Sequence, residues 1–175
     1  MTAGTTPNTT GTATCPFLLH PGGALRVVLD TNVLVSLYVF SDSRYAPLRT
    51  AIEDGHWQAL ASAACLEEFT RVLNYPLFAL PPEGQQQALA AYGRVATVIT
   101  DAPAQPALLP RCKDRDDQKF LELARDGGAQ CLITSDKALL MLARRQKLAH
   151  LFRILTPDAA LQGLQSSPSE QNATS

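Results

Sequence analysis

Four acids, Asp30, Glu68, Asp117 and Asp136, are the residues of this chain best suited to chemistry as a group. Gathered in one pocket they would repel one another, and some would take up protons unless a divalent cation neutralised them. Donors that are all oxygen suit Mg²⁺ or Mn²⁺ rather than zinc. Singly, each has a plainer reading. Asp30, Asp116 and Asp136 can cap or flank a helix start, where free N–H groups and the dipole favour an acid. What would make them a group is where the surrounding elements put them.

Asp30 follows Leu25-Arg26-Val27-Val28-Leu29, an apolar, β-branched run of the kind buried on both faces of a sheet. Asp136 comes two residues after a similar run, Gln130 to Thr134. In an open α/β sheet ligands gather outside the carboxyl ends of the strands, where both acids fall. Helix geometry, about 100° per residue, separates the two glutamates of the next block. Cys65, Leu66, Phe69, Val72 and Leu73 make one apolar stripe. Glu67 lies opposite its centre, and Glu68 on its edge, within reach of a cleft. Asp117 precedes Phe120, Leu121 and Ala124 by three, four and seven residues, so it points along the inward face of its helix's first turn. An unpaired carboxylate there is costly to desolvate. Asp116 is then the expected N-cap, and Asp114 a loop residue that can look into the site.

The remaining elements alternate. Val33 to Val39 suits a short buried helix or turn, and Ser41-Asp42-Ser43 a cap for a helix to about Asp54, stopped by Gly55. Trp57 to Ala61 reads as a strand, and Ser62 caps a helix to about Asn74, ahead of Pro76. Pro82 opens a helix to about Arg94, Ala96 to Thr100 reads as a strand, and a Pro-rich loop runs from Asp101 to Pro110. A helix from Asp116 ends at Gly127-Gly128, and another spans about Ser135 to Lys147. Leu151 to Leu155 is the last strand, with Thr156-Pro157 starting a terminal helix. Alternation of this kind predicts an α/β domain with a parallel sheet and helices on both faces.

Residues 1–23 and 166–175, rich in Thr, Gly, Pro and Ser, are expected to be tails around a domain at 24–165. A net charge of −1 excludes a global basic footprint, so any nucleic acid must be held by a local patch. Cys15, Cys65, Cys112 and Cys131 form no CxxC pair. Cys65 and Cys131 read as core residues, while Cys112, between Arg111 and Lys113, is the one whose thiol is open to activation. No stretch approaches the roughly 20 apolar residues of a membrane span, and no basic start marks a secretory signal. A soluble protein of a reducing cytoplasm is expected.

Val28-Leu29-Asp30-Thr31-Asn32-Val33-Leu34, Leu66-Glu67-Glu68-Phe69 with Arg71-Val72-Leu73, Asp114 to Ala124, and Leu132-Ile133-Thr134-Ser135-Asp136 together resemble the PIN-domain family, from about Arg26 to Leu161. The nearest likeness is to the bacterial branch of toxins from toxin–antitoxin systems. The resemblance implies a three-layer α/β/α sandwich with strand order 3-2-1-4-5, which sets Asp30 across the switch point from Asp136. It implies a metal-dependent ribonuclease whose acidic quartet carries over onto Asp30, Glu68, Asp117 and Asp136, holding one or two Mg²⁺ or Mn²⁺ ions. Asn32, Thr134 and Ser135 match its supporting polar positions. RNA, an antitoxin protein and a homodimeric mate are the implied partners. Arg115 stands where this branch often has proline and Ser135 where glycine is common, neither of which removes a ligand. Lys113, Arg115 and Lys119 adjoin Asp117 as candidates for RNA phosphates, with Arg144, Arg145 and Lys147 as a second basic cluster, of which Arg144 and Arg145 suit a solvated helix face slightly better.

Two other classes start from the same residues. Phosphatases and dehalogenases with an aspartyl nucleophile also place Asp after the first strand, usually with an acid two residues on. Here that position is Asn32. A protein- or RNA-binding module that kept the fold without the activity is the non-enzyme reading.

Overall fold

The computed structural model describes residues 23–166 apart from 146, 147 and 149. The expected tails therefore lie outside the described residues except for Gly23 and Ser166, as do Cys15 and Lys147. The chain runs β1 (Leu25–Leu29), α1 (Thr31–Tyr38), a 3-10 turn (Ser43–Tyr45), α2 (Ala46–Glu53), β2 (Trp57–Ala61) and α3 (Ala63–Leu73). A second 3-10 turn (Pro76–Phe78), α4 (Pro82–Val95), β3 (Thr97–Val98), α5 (Gln118–Asp126) and β4 (Cys131–Ile133) follow. α6 (Lys137–Leu142), β5 (Arg153–Leu155) and α7 (Pro157–Ser166) complete it.

The five strands form one parallel sheet in the order β3-β2-β1-β4-β5. Side-chain alternation divides the core in two. Leu25, Val27 and Leu29 of β1, with Cys131 and Ile133 of β4, pack with α1, α2, α4 and most of α3 on one face. Val28, Leu60 and Leu132 face the other way, onto α5 and α6. Both faces are thus covered, which is why β4 reads as an unbroken apolar run and β1 and β2 are each interrupted only once, at Arg26 and Gln58. The order makes β1 and β4 neighbours, with Leu29 level with Ile133. From β1 the chain winds one way to β2 and β3, and later returns to β4 and β5 on the other side. The ends of β1 and β4 therefore flank a crevice at the switch point.

Several expected boundaries shift, each for a local reason. The helix expected from Ser43 starts at Ala46, because Asp42 caps a 3-10 turn first and Pro47 then opens α2. The strand expected from Ala96 to Thr100 shrinks to Thr97–Val98, an exposed edge that can pair only with β2. β4 and β5 are each three residues, shorter than the runs that suggested them. α6 begins at Lys137 rather than Ser135, since Asp136 takes the cap position, and it ends at Leu142. Asp116 is not the N-cap of α5: Asp117 stands there, and its side chain makes no capping bond.

Candidate active site

The crevice is built from four chain segments that the sheet order brings together. The first is the β1–α1 junction. Asp30 is 2 % exposed, and its Oδ1 accepts a hydrogen bond from the Val33 N–H at 2.8 Å, capping α1. Its Oδ2 faces the β4–α6 junction, where it accepts from the Thr134 hydroxyl and from the Ser135 N–H at 3.2 Å. Thr134, fully buried, also accepts from the Asp136 N–H at 2.9 Å, so a single hydroxyl ties the two junctions together. Asp136 caps α6 through Oδ1, which accepts from Ala138 at 2.6 Å and Leu139 at 3.0 Å. Capping and site membership are therefore not alternatives for Asp30 and Asp136. Each uses one oxygen to start a helix at the carboxyl edge of the sheet.

The second pair comes from helices. Glu68 on α3 is part-buried while Glu67 is exposed, as the stripe on that helix requires. Both carboxylate oxygens of Glu68 are engaged: Oε1 accepts from the Thr31 hydroxyl at 2.7 Å, and Oε2 is ion-paired with Lys119 Nζ. Asp117 sits part-buried at the head of α5, and no hydrogen bond holds its carboxyl among the described residues.

Electrostatics bind the set. Burial pushes the Asp117 carboxyl up to about 6, and the negative charges of Asp136, Asp114, Glu68 and Asp30 push it the same way. Asp30 is also raised, mainly by burial, against the pull of its three hydrogen bonds and with a contribution from Asp136. The four acids thus share one field, with Asp114 beside them. Asp114 is exposed, and its Oδ1 accepts from the Asp116 N–H at 2.9 Å, shaping the loop ahead of α5.

The supporting residues divide. Thr134 and the Ser135 backbone hold Asp30, whereas the Ser135 side chain and Asn32 are exposed. Lys113 and Arg115 are exposed and line an open groove with Asp114, Asp116, Asp136 and Ala138. Lys119 does not join them. Its ammonium lies against Glu68 and the Asp116 carbonyl oxygen, inside the acidic cluster instead of on its rim. Cys112 is buried, which raises its thiol and removes the activation its basic neighbours suggested. Thr31 was missed by the sequence reading: its place between Asp30 and Asn32 was the only signal, and its burial with a bond to Glu68 is a tertiary fact.

Donors that are all carboxylate or hydroxyl oxygen fit a hard divalent cation. Asp117, raised by burial and then by the acids around it, is the carboxyl of the set that most lacks a compensating partner among the described residues. As the side chains stand, no three Asp, Glu, His or Cys among the described residues are close enough together to hold one metal ion. Glu68 is held by Lys119 and Thr31, and one oxygen of Asp136 by its helix.

No curated protein matches the chain. A family model described as PIN domain matches residues 26–138, a span that contains all four acids and the strands that carry them. With the parallel sheet in the order β3-β2-β1-β4-β5 and both switch-point junctions inside the matched region, the chain belongs to the PIN-domain family, a family of nucleases.

Proposed function

We propose that this PIN domain is an endoribonuclease that uses one or two Mg²⁺ or Mn²⁺ ions, and that it is the toxin component of a toxin–antitoxin system. The observation that carries the reading is the Asp117 carboxyl, which has no hydrogen bond among the described residues and is pushed up to about 6 by burial first and then by the charges of the acids gathered around it. Such repulsion is costly unless a cation belongs there.

Asp30, Glu68, Asp117 and Asp136 would hold the ion. When bound, it neutralises the scissile phosphate and makes a water acidic enough to attack at neutral pH. The protein's part is placement. Thr134 and the Ser135 N–H fix the Asp30 carboxylate, and Thr31 fixes Glu68. Lys113 and Arg115, on the rim of the open groove, are placed to take phosphates flanking the cut. Asp30 is a poor covalent nucleophile, because both of its oxygens already accept hydrogen bonds from buried partners. This argues against the aspartyl-phosphatase alternative.

The test incubates the purified protein with a structured RNA and Mn²⁺, beside Asp30→Asn and Asp117→Asn. Cleavage by the unaltered chain and its loss in both variants is the expected result; cleavage untouched by either substitution would sink the site. RNA bound but never cut would instead favour a silent binding module. The toxin role predicts growth arrest on expression, relieved by Asp117→Asn and by a co-expressed antitoxin protein. A homodimer in the cytoplasm is the matching expectation, to be read by sedimentation and fractionation. No helix among the described residues is long and apolar enough to cross a membrane.

A further inference from the structure

The cluster of acids contains a cation of the protein's own. Lys119 extends from the first turn of α5 across to α3, its side chain 20 % exposed, and its ammonium pairs with Glu68, itself 15 % exposed. The same ammonium donates to the Asp116 carbonyl oxygen and lies 5.2 Å from the centre of the Phe120 ring. Three separate groups thus hold it in the cluster. An exposed lysine with a surface partner would be loosely held, because such pairs contribute little. This one is shielded, on a helix, α5, that packs against α3.

The position has a cost for metal binding. Glu68 has one oxygen on Lys119 and the other on Thr31, so neither is free for an ion while both partners stay in place. We propose that Lys119 is an internal placeholder for the divalent cation: it neutralises Glu68 in the metal-free protein, and must leave Glu68 before that carboxylate can join Asp30, Asp117 and Asp136 around an ion. This rests on the metal-dependent reading above. Lys119 is a positioning residue in this role, acting on Glu68 and not on the reacting phosphate. The exchange also supplies a gate. In the metal-free state the pocket is partly neutralised from within, so weakly bound cations must compete with a lysine that cannot diffuse away. On leaving, the ammonium has a cleft beside it whose mixed lining includes three acids, Asp101, Glu122 and Asp126.

Two measurements test this, neither of them turnover. Mn²⁺ affinity by calorimetry is compared for the full chain, Lys119→Gln, Lys137→Gln and Asp117→Asn. Lys137 is exposed and adjoins Asp136, so Lys137→Gln removes the same charge nearby without touching the ion pair. Loss of a shielded charge-assisted bond predicts that Lys119→Gln binds Mn²⁺ about tenfold more tightly, with a much smaller change for Lys137→Gln. Equal affinity for the unaltered chain, Lys119→Gln and Lys137→Gln would overturn the proposal and leave the metal reading standing. No binding to any of them would overturn both. The second measurement needs no substitution. Lys119 of the unaltered chain should resist an amine-acylating reagent when metal-free and become several-fold more reactive at saturating Mn²⁺, while Lys137 stays constant, as read by peptide mass spectrometry. Unchanged protection of Lys119 at saturating Mn²⁺ would refute the exchange.

Discussion

Asp30 and Asp117 are both carboxylates in a crevice, yet the structure treats them oppositely. Asp30 is wrapped by three donors and does a helix cap's work, whereas Asp117 occupies a cap position without capping anything. The consequence for pH follows from the direction of the shift. A carboxyl raised to about 6 on folding, from an ordinary value of 3.8, binds its proton more readily in the folded chain than in the unfolded one. Asp117 therefore adds stability as pH falls from about 7 through 6 toward 4, and withdraws it as pH rises through the same window. In metal-free protein, the stability gap between Asp117→Asn and the unaltered chain should widen in favour of the variant on going from pH 5 to pH 7.5. Thermal melts of both proteins in chelator check this, and a constant gap would contradict it. Much at this scale was readable beforehand: the acids after β1 and β4, and the choice of Glu68 over Glu67, come from periodicity alone. The N-cap of α5 was not. Asp116 and Asp117 are equivalent acids in sequence, and which one starts the helix depends on the loop's path, set by Asp114 bonding Asp116 and by Gln118 Oε1 accepting from the Cys112 N–H at 2.8 Å. The Lys119–Glu68 pair spans two helices and so has no local signature.

Among the elements, β1, β2, α3 and α4 match their sequence patterns closely, the strands because they are mostly apolar and the helices because Ser62 caps one and Pro82 opens the other. β3 fell short because β-branched residues favour a strand only where there is a partner along the whole length, and β2 ends at Ala61. The turn from α5 to β4 shows how little slack the layers have. A methyl group added at Gly127 would come within 2.6 Å of Leu60 Cδ1 and 2.9 Å of the Leu123 carbonyl oxygen, a clash between α5 and β2. Gly127→Ala should therefore destabilise the fold by about 1–3 kcal/mol, the usual range for overpacking. Gly55 differs, with open space around it and a φ of +77°. Gly55→Ala should cost about 1 kcal/mol from backbone strain alone. Urea titrations separate the two: equal midpoints for Gly127→Ala and the unaltered chain would show that the contact can relax freely.

At the scale of the molecule, a net charge of −1 means that RNA binding must come from a few placed cations. Lys113 and Arg115 are the exposed pair on the groove. Replacing both by Gln should weaken RNA binding evenly across sequences and reduce the salt slope of log affinity by about 2, since each phosphate contact contributes close to one. An unchanged slope in filter binding from low to moderate salt would remove them from the interface. The sheet class was legible because strand and helix patterns alternate, but the strand order was not. That order depends on which surfaces pack, and here it came from family likeness.

Thr134 joins Asp30 to a junction 104 residues further along the chain, and this distance has a meaning in time as well as space. A ribosome delivers β1, α1 and α3 early, so Asp30 and Glu68 emerge while Asp117 and Asp136 are still untranslated. β1 must wait beside β2 with its other edge open until β4 arrives, the kind of distant pairing that forms late. A half-made chain thus carries half a charge cluster and no hydroxyl to lock it. A nuclease site split in this way would be assembled only after the last of its strands had been made, by nothing more than their order.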